Sequence, residues 1–191
     1  MNYDSTLTLR DARTRYFAAN GLGDGGYAER WVRFQVGPIP LYFPNTKQRV
    51  AAVRFHDLHH VLTGYETTWK GEAEIAAWEI ASGCAHHLAA WLLNLGALAV
   101  GLFIAPRAAF RAYVRGRRTR NLYRKEFGDP LLELEVGAMR GALGLDDAPA
   151  PVAAVDVASF AGWALLAVLS FAAHVAIPVA ILVAVGRLLQ G

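Results

Sequence analysis

The chain has one cysteine and two long stretches with no charge at all. The lone thiol, Cys84, has no second cysteine to pair with, so an internal disulfide framework is excluded and nothing calls for an oxidising compartment. Asp, Glu, Lys and Arg make up 18% of the residues, against about 25% in an ordinary soluble domain. The shortage is local. None of the four occurs in residues 80–106 or in residues 157–186. Each run exceeds the roughly 20 apolar residues that a helix needs to cross hydrocarbon. The opening Met-Asn-Tyr-Asp-Ser-Thr lacks an apolar signal core, which predicts no secretory leader, and residues 1–7 are expected to fray.

Acidic residues are missing from residues 107–125, where seven arginines and Lys125 cluster although the net charge is only +3. This stretch reads as a basic helix lying against anionic headgroups, where each cation adds about 1 kcal/mol. Arg115, Arg117 and Arg118 are the expected headgroup-binding residues, and a lipid phosphate is an alternative ligand for the run. The run has no nucleic-acid reading motif, so no nucleic acid is expected as partner. Positive-inside bias places it, with the catalytic domain, on the cytoplasmic face of the cytoplasmic membrane.

The pattern predicts a mainly α protein. Residues 8–20 read as a short amphipathic helix ended by Gly21. Gly21-Leu22-Gly23-Asp24-Gly25-Gly26 has the spacing of a dinucleotide fingerprint, but it follows a helix rather than a strand, so it reads as a turn. Trp31–Val36 alternates as a half-buried strand does, and Gly37-Pro38 with Pro40–Phe43 completes a small N-terminal hairpin. A helix is expected over 46–63, capped by Asn45-Thr46 and stopped at Gly64. The next opens at Gly71-Glu72 and runs toward Leu95, with breaks possible at Gly83 and Gly96. Pro130 is expected to interrupt before one short helix at 131–145. Residues 1–146 then form the main domain, 147–151 a linker, and 152–191 a C-terminal membrane segment. As a straight helix, residues 157–186 would measure about 45 Å, enough for one kinked transmembrane span at Pro178 or, alternatively, a helical hairpin. The 80–106 run reads as an interfacial or channel-lining helix, with His86-His87 at the interface.

Metal-capable side chains gather at His56-Asp57-Leu58-His59-His60, in a protein with six histidines. At about 100° per residue, His60 lies roughly 40° and Asp57 roughly 100° from His56, so the three fan over one sector of a helix. Glu72 follows across a break bounded by Gly64 and Gly71, which lets the second helix fold back antiparallel and deliver it from its first turn. Such nitrogen and oxygen donors suit zinc, iron or manganese better than calcium. His59 is an alternative ligand to His60. Glu79, seven residues beyond Glu72 on the same face, is placed to orient a ligand or relay protons.

His56-Asp57-x-x-His60, eleven residues, then Glu72 resembles the motif of the Coq4 family of ubiquinone-biosynthesis proteins. The flanking His-Asp-Leu-His-His-Val-Leu-Thr-Gly-Tyr and Gly71-Glu72 fit as well, and Asn121-Leu122-Tyr123 and Leu143-Gly144-Leu145 are similar to the family's closing helix. The resemblance covers roughly residues 8–146, and the apolar tail departs from it. It implies a helical fold with a divalent metal, zinc above all and otherwise iron, manganese or magnesium, held by His56, Asp57, His60 and Glu72. It further implies a prenyl channel lined by the helix that begins at Glu72, and other quinone-biosynthesis enzymes as partners.

The expected activity is that of a membrane-attached, metal-dependent lyase: oxidative decarboxylation of a prenylated benzoate ring, with Asp57 and Glu79 as catalytic proton handlers. The prenyl chain would follow an apolar face containing Trp78, Leu88 and Trp91. A noncatalytic lipid-binding scaffold and a membrane metallohydrolase acting on a lipid phosphate are the alternatives.

Overall fold

The structure, a computed structural model, describes residues 3–36, 39–148 and 151–190. Its elements run α1 (Leu9–Asn20), β1 (Trp31–Val36), β2 (Ile39–Pro44), α2 (Lys47–Thr63), α3 (Trp69–Ser82), α4 (Leu88–Ile104), α5 (Pro106–Gly116), α6 (Asp129–Leu132), α7 (Val136–Leu143) and α8 (Ala154–Gln190). The protein is mainly helical, with one antiparallel hairpin near the N-terminus and one long apolar C-terminal helix. Met1-Asn2, the Gly37-Pro38 turn signal and Pro149-Ala150 of the expected linker lie outside the described residues.

Local chemistry sets most boundaries. Thr8, Thr46 and Thr68 each accept a backbone N–H with their hydroxyl at the start of α1, α2 and α3, which satisfies one of the orphan donors of a first turn. Gly21 and Gly64 end α1 and α2 in the left-handed conformation that glycine adopts at no steric cost. The Thr68 cap starts α3 two residues ahead of Gly71.

Helix α3 is the axis of the fold. It is buried almost all round, with Ile75, Ala76, Ala77, Trp78 and Ile80 in the core. Its partners approach closely because they carry glycine at the contact. A Cβ on Gly101 of α4 would collide with Ala73, and one on Gly116 of α5 with the Trp78 carbonyl. Gly96, by contrast, does not break α4, which runs unbroken to Ile104.

Three expectations need correction. The basic stretch is not one helix: α5 ends at Gly116. Beyond it two backbone donors find remote acceptors, Arg120 N–H on the Leu143 carbonyl and Leu122 N–H on His59 Nε2, while Arg118 and Lys125 close only local turns. Pro130 does not interrupt a helix but starts α6 in its first turn, where proline's missing N–H costs nothing. The segment 131–145 is accordingly split between α6 and α7. Residues 5–9 are pinned rather than frayed. Val136 N–H donates to Leu7, Gly137 N–H to Ser5, and Leu9 N–H to Leu134.

The tail is a single helix of 37 residues, as the one-span reading expects, and not the alternative hairpin. At 1.5 Å per residue it measures about 55 Å. Its first half belongs to the domain. Asp156, Ser159, Phe160, Trp163 and Ala167 recur at three- and four-residue intervals and face inward. Asp156 pairs with Arg117 and Arg118, Ser159 meets the Tyr113 hydroxyl, and Phe160 packs edge-on against Phe110 and Tyr113. Trp163 stacks on Trp91 with centroids 5.3 Å apart. The opposite face shows Val157, Leu165, Leu166, Leu169 and Phe171 to the outside. Among the described residues α8 is the one helix long and apolar enough to cross a membrane.

Candidate metal centre

Helix α2 carries its histidines on the side that faces α3. His60 meets Glu72 in the first turn of α3, while His56 and His59 meet Glu79 two turns on. The pairing order shows that the helices run in opposite senses, as the glycine-bounded break predicts. His56 Nε2 and His60 Nε2 lie 3.1 Å apart. The Glu72 carboxylate oxygens lie 3.5 Å from each. The ligand atoms of His56, His60 and Glu72 all fall within 4.8 Å of one another, so the three can hold a metal ion.

The imidazole tautomers are set by their outer nitrogens. His56 Nδ1 is 2.9 Å from Glu79 Oε1, and His60 Nδ1 is 2.9 Å from the Tyr65 carbonyl. Both partners are acceptors, so both Nδ1 atoms carry the proton and donate it. That leaves two Nε2 lone pairs aimed at each other, a repulsive contact unless a cation lies between them. A proton or a metal ion serves. Orientation of a ligating histidine through its far nitrogen is the usual support of a metal site. Tyr16 stacks on the His60 ring at 5.4 Å and holds its plane.

Glu79 is the hub beneath this group and is 0% exposed. Its Oε1 accepts from His56 Nδ1 and His59 Nδ1, its Oε2 from Asn94 Nδ2 at 2.6 Å and from the Tyr123 hydroxyl at 2.7 Å. His59 Nε2 in turn accepts the Leu122 backbone N–H at 3.0 Å. With Nδ1 donating and Nε2 accepting, His59 is a neutral strut. It is not the alternative ligand. Four donors on one buried carboxylate is the arrangement that keeps a charge ionised in a core.

Electrostatics follow this geometry. Burial works against both carboxylates, yet the facing histidines outweigh it, holding Glu79 well below the carboxylate range and Glu72 at about 2. Burial likewise works against a charged His56, and Glu79 and Glu72 outweigh it to hold its pKa well above the ordinary value. Burial pushes His59 down. The group therefore keeps two negative carboxylates and holds a positive charge at the His56 Nε2 position.

The remaining candidates fall elsewhere. Asp57 is buried beside the group but is not among its converging ligand atoms. Its Oδ2 accepts from the Tyr27 hydroxyl, and burial raises its pKa. Arg115 is turned inward, donating to the Thr63 and Leu145 carbonyls. Arg117 and Arg118 are engaged by Asp156. These three arginines hold α5 to α2 and α8 and are not a free headgroup cluster. Trp78 is fully buried, its indole N–H donating to Thr119, whereas Leu88 is exposed on α4, so the two do not share one face. His86 and His87 stack on each other at the start of α4, His86 exposed and His87 packed against Phe55 and Tyr123.

Sequence reasoning passed over Asn94, Tyr123, Tyr16 and Tyr27. Asn94 had a signal: it is the lone amide of an otherwise apolar helix, and a buried amide demands a partner. The tyrosines had none, because an aromatic at helical spacing reads first as packing. No family model, curated protein or solved structure matches the chain, so the geometry stands by itself.

Proposed function

We propose that the protein is a membrane-attached, metal-dependent enzyme acting on a prenylated aromatic lipid, with oxidative decarboxylation of a prenylated benzoate ring as its reaction, the carboxylate leaving as carbon dioxide and dioxygen serving as the co-substrate that takes up the two electrons. The observation that carries the reading is the convergence of the His56 and His60 Nε2 atoms with the Glu72 carboxylate, all within 4.8 Å of one another. Two imidazoles and one carboxylate suit zinc, iron or manganese, and three protein ligands leave positions for a substrate. The resemblance of the His56 to Glu72 motif to the Coq4 family favours zinc and a quinone precursor.

A divalent ion bound there would stabilise negative charge on substrate oxygens as a Lewis acid. The chain's own residues do the rest. Glu79 keeps His56 in the tautomer that leaves Nε2 free. The Tyr65 carbonyl does the same for His60. Asp57, raised in pKa beside the group and linked to the Tyr27 hydroxyl, is the residue placed to hold or pass a proton. Leu88, Leu92 and Leu93 of α4 and the outer face of α8 offer apolar surface where a lipid substrate partitions, and α8 supplies the membrane attachment. We place the domain on the cytoplasmic side, by the excess of basic residues in 107–125.

The test is His60→Ala in the full chain. Bound metal, read by elemental analysis of the membrane-extracted protein, falls from about one per chain to a trace, the value expected when one of three ligands is lost. Quinone production collapses while the protein still accumulates in membranes. Quinone production that survives the change refutes catalysis at this group. Metal lost with production intact favours the scaffold reading.

A further inference from the structure

The basic run also contains cations outside the ion pairs that join it to Asp156. Arg120, Arg124 and Lys125 line a cleft of about 480 Å³ together with Ser82, Asn121, Ala142 and Leu143. Among the described residues none of the three cations pairs with a carboxylate. The cleft wall is built rather than loose. Arg120 donates to the Ala142 carbonyl at 2.9 Å, its backbone N–H to Leu143 at 3.0 Å, and Asn121 Nδ2 to Ser82 Oγ and the Gly83 carbonyl at 2.9 Å each. Arg120 thus keeps guanidinium donors to spare, and Arg124 and Lys125 stand exposed on the same rim.

The segment that forms this rim has a second side. Leu122 and Tyr123, between Arg120 and Arg124, are buried. Leu122 N–H donates to His59 and the Tyr123 hydroxyl to Glu79, the strut and hub beneath His56. One short loop therefore grips the buried carboxylate with its inner side and lines a cationic cleft with its outer side.

We propose that this cleft is a phosphate-binding site, and that its occupancy stiffens the loop that holds Glu79. Guanidinium forks match the oxygens of a phosphate in geometry as well as charge, and an ammonium beside them adds a point charge. The cleft is large enough for a phosphate together with part of whatever carries it. The phosphate arrives either as a free phosphorylated solute or as a lipid headgroup.

The experiment uses the full chain, freed of metal by chelation, in zwitterionic nanodiscs. Millimolar inorganic phosphate is compared with chloride at equal ionic strength, and zwitterionic nanodiscs with discs containing phosphatidic acid. Thermal midpoint and amide hydrogen exchange over residues 120–125 are read. Phosphate is expected to raise the midpoint by a few degrees and slow the Leu122 amide several-fold. In Arg124→Gln with Lys125→Gln both responses vanish, although the starting midpoint is unchanged. Arg107→Gln with Arg111→Gln leaves them intact. A response to free phosphate assigns a soluble source; a response to phosphatidic acid alone assigns the headgroup. No response beyond chloride in either format, or an equal response in the Arg124/Lys125 variant, overturns the site. Because the protein carries no metal in this assay, failure here leaves the metal reading untouched.

Discussion

At the scale of single residues, the centre is a contest between a proton and a metal for one position. The folded pKa of His56 is raised above the unfolded value of about 6.5. Its contribution to stability is therefore fully present below that pH and is lost as pH rises through the elevated folded value. Chelator-treated protein should show a thermal midpoint that declines from neutral to alkaline pH, and added zinc should remove the decline. A flat profile without metal would mean that the two Nε2 atoms do not share a proton. Metal affinity should rise over the same range, because the ion must displace that proton. Glu79 gives a second residue-scale prediction. Glu79→Ala leaves the buried His59, Asn94 and Tyr123 and the part-buried His56 without their acceptor, and breaking such an ionic network costs about 3–5 kcal/mol. A fall in the denaturation midpoint, with metal binding weakened although no ligand has been removed, is the expected outcome.

Among elements, the packing of α3 against α4 and α5 depends on absent side chains. Gly116→Val sets a Cβ in collision with the Trp78 carbonyl oxygen, and over-packing of this kind costs about 1–3 kcal/mol. Urea unfolding of the variant measures it. An unchanged midpoint would show that α5 can slide. The same scale shows what a reader of the sequence can recover. Helices α1 and α2 are legible to within a residue, because Thr8, Thr46, Gly21 and Gly64 act on their immediate neighbours. The histidine pair and Glu72 are legible from helical periodicity across a glycine-bounded turn. The loop from Arg117 to Gly128 is not legible, because the Arg120 and Leu122 backbone donors that anchor it are satisfied by Leu143 and His59, far off in the chain. The role of the arginines is hidden for the same reason. Arg117 and Arg118 read as a surface cluster until Asp156 is brought against them from α8.

For the whole molecule, the outer faces of α4 and α8 decide where the protein resides. Phe103 is 84% exposed and Ile104 follows it at the end of α4, just before Arg107 and Arg111. An apolar tip with cations behind it fits the boundary between acyl chains and headgroups. A nitrobenzoxadiazole dye on Phe103→Cys should emit at blue-shifted wavelengths in vesicles. Emission typical of water would place this tip outside the bilayer. The buried Cys84 should stay unlabelled.

The stacked indoles of Trp91 and Trp163 fasten the first half of α8 to the domain, and the helix continues to Gln190. A swivelling tether would let the metal-capable group sample many heights above a lipid sheet. In the membrane-attached protein we propose, a helix continuous to Gln190 would instead narrow that choice, and shortening or lengthening α8 by a full turn beyond Phe171 would move the depth from which a guest reaches His56 and His60 without touching a single ligand.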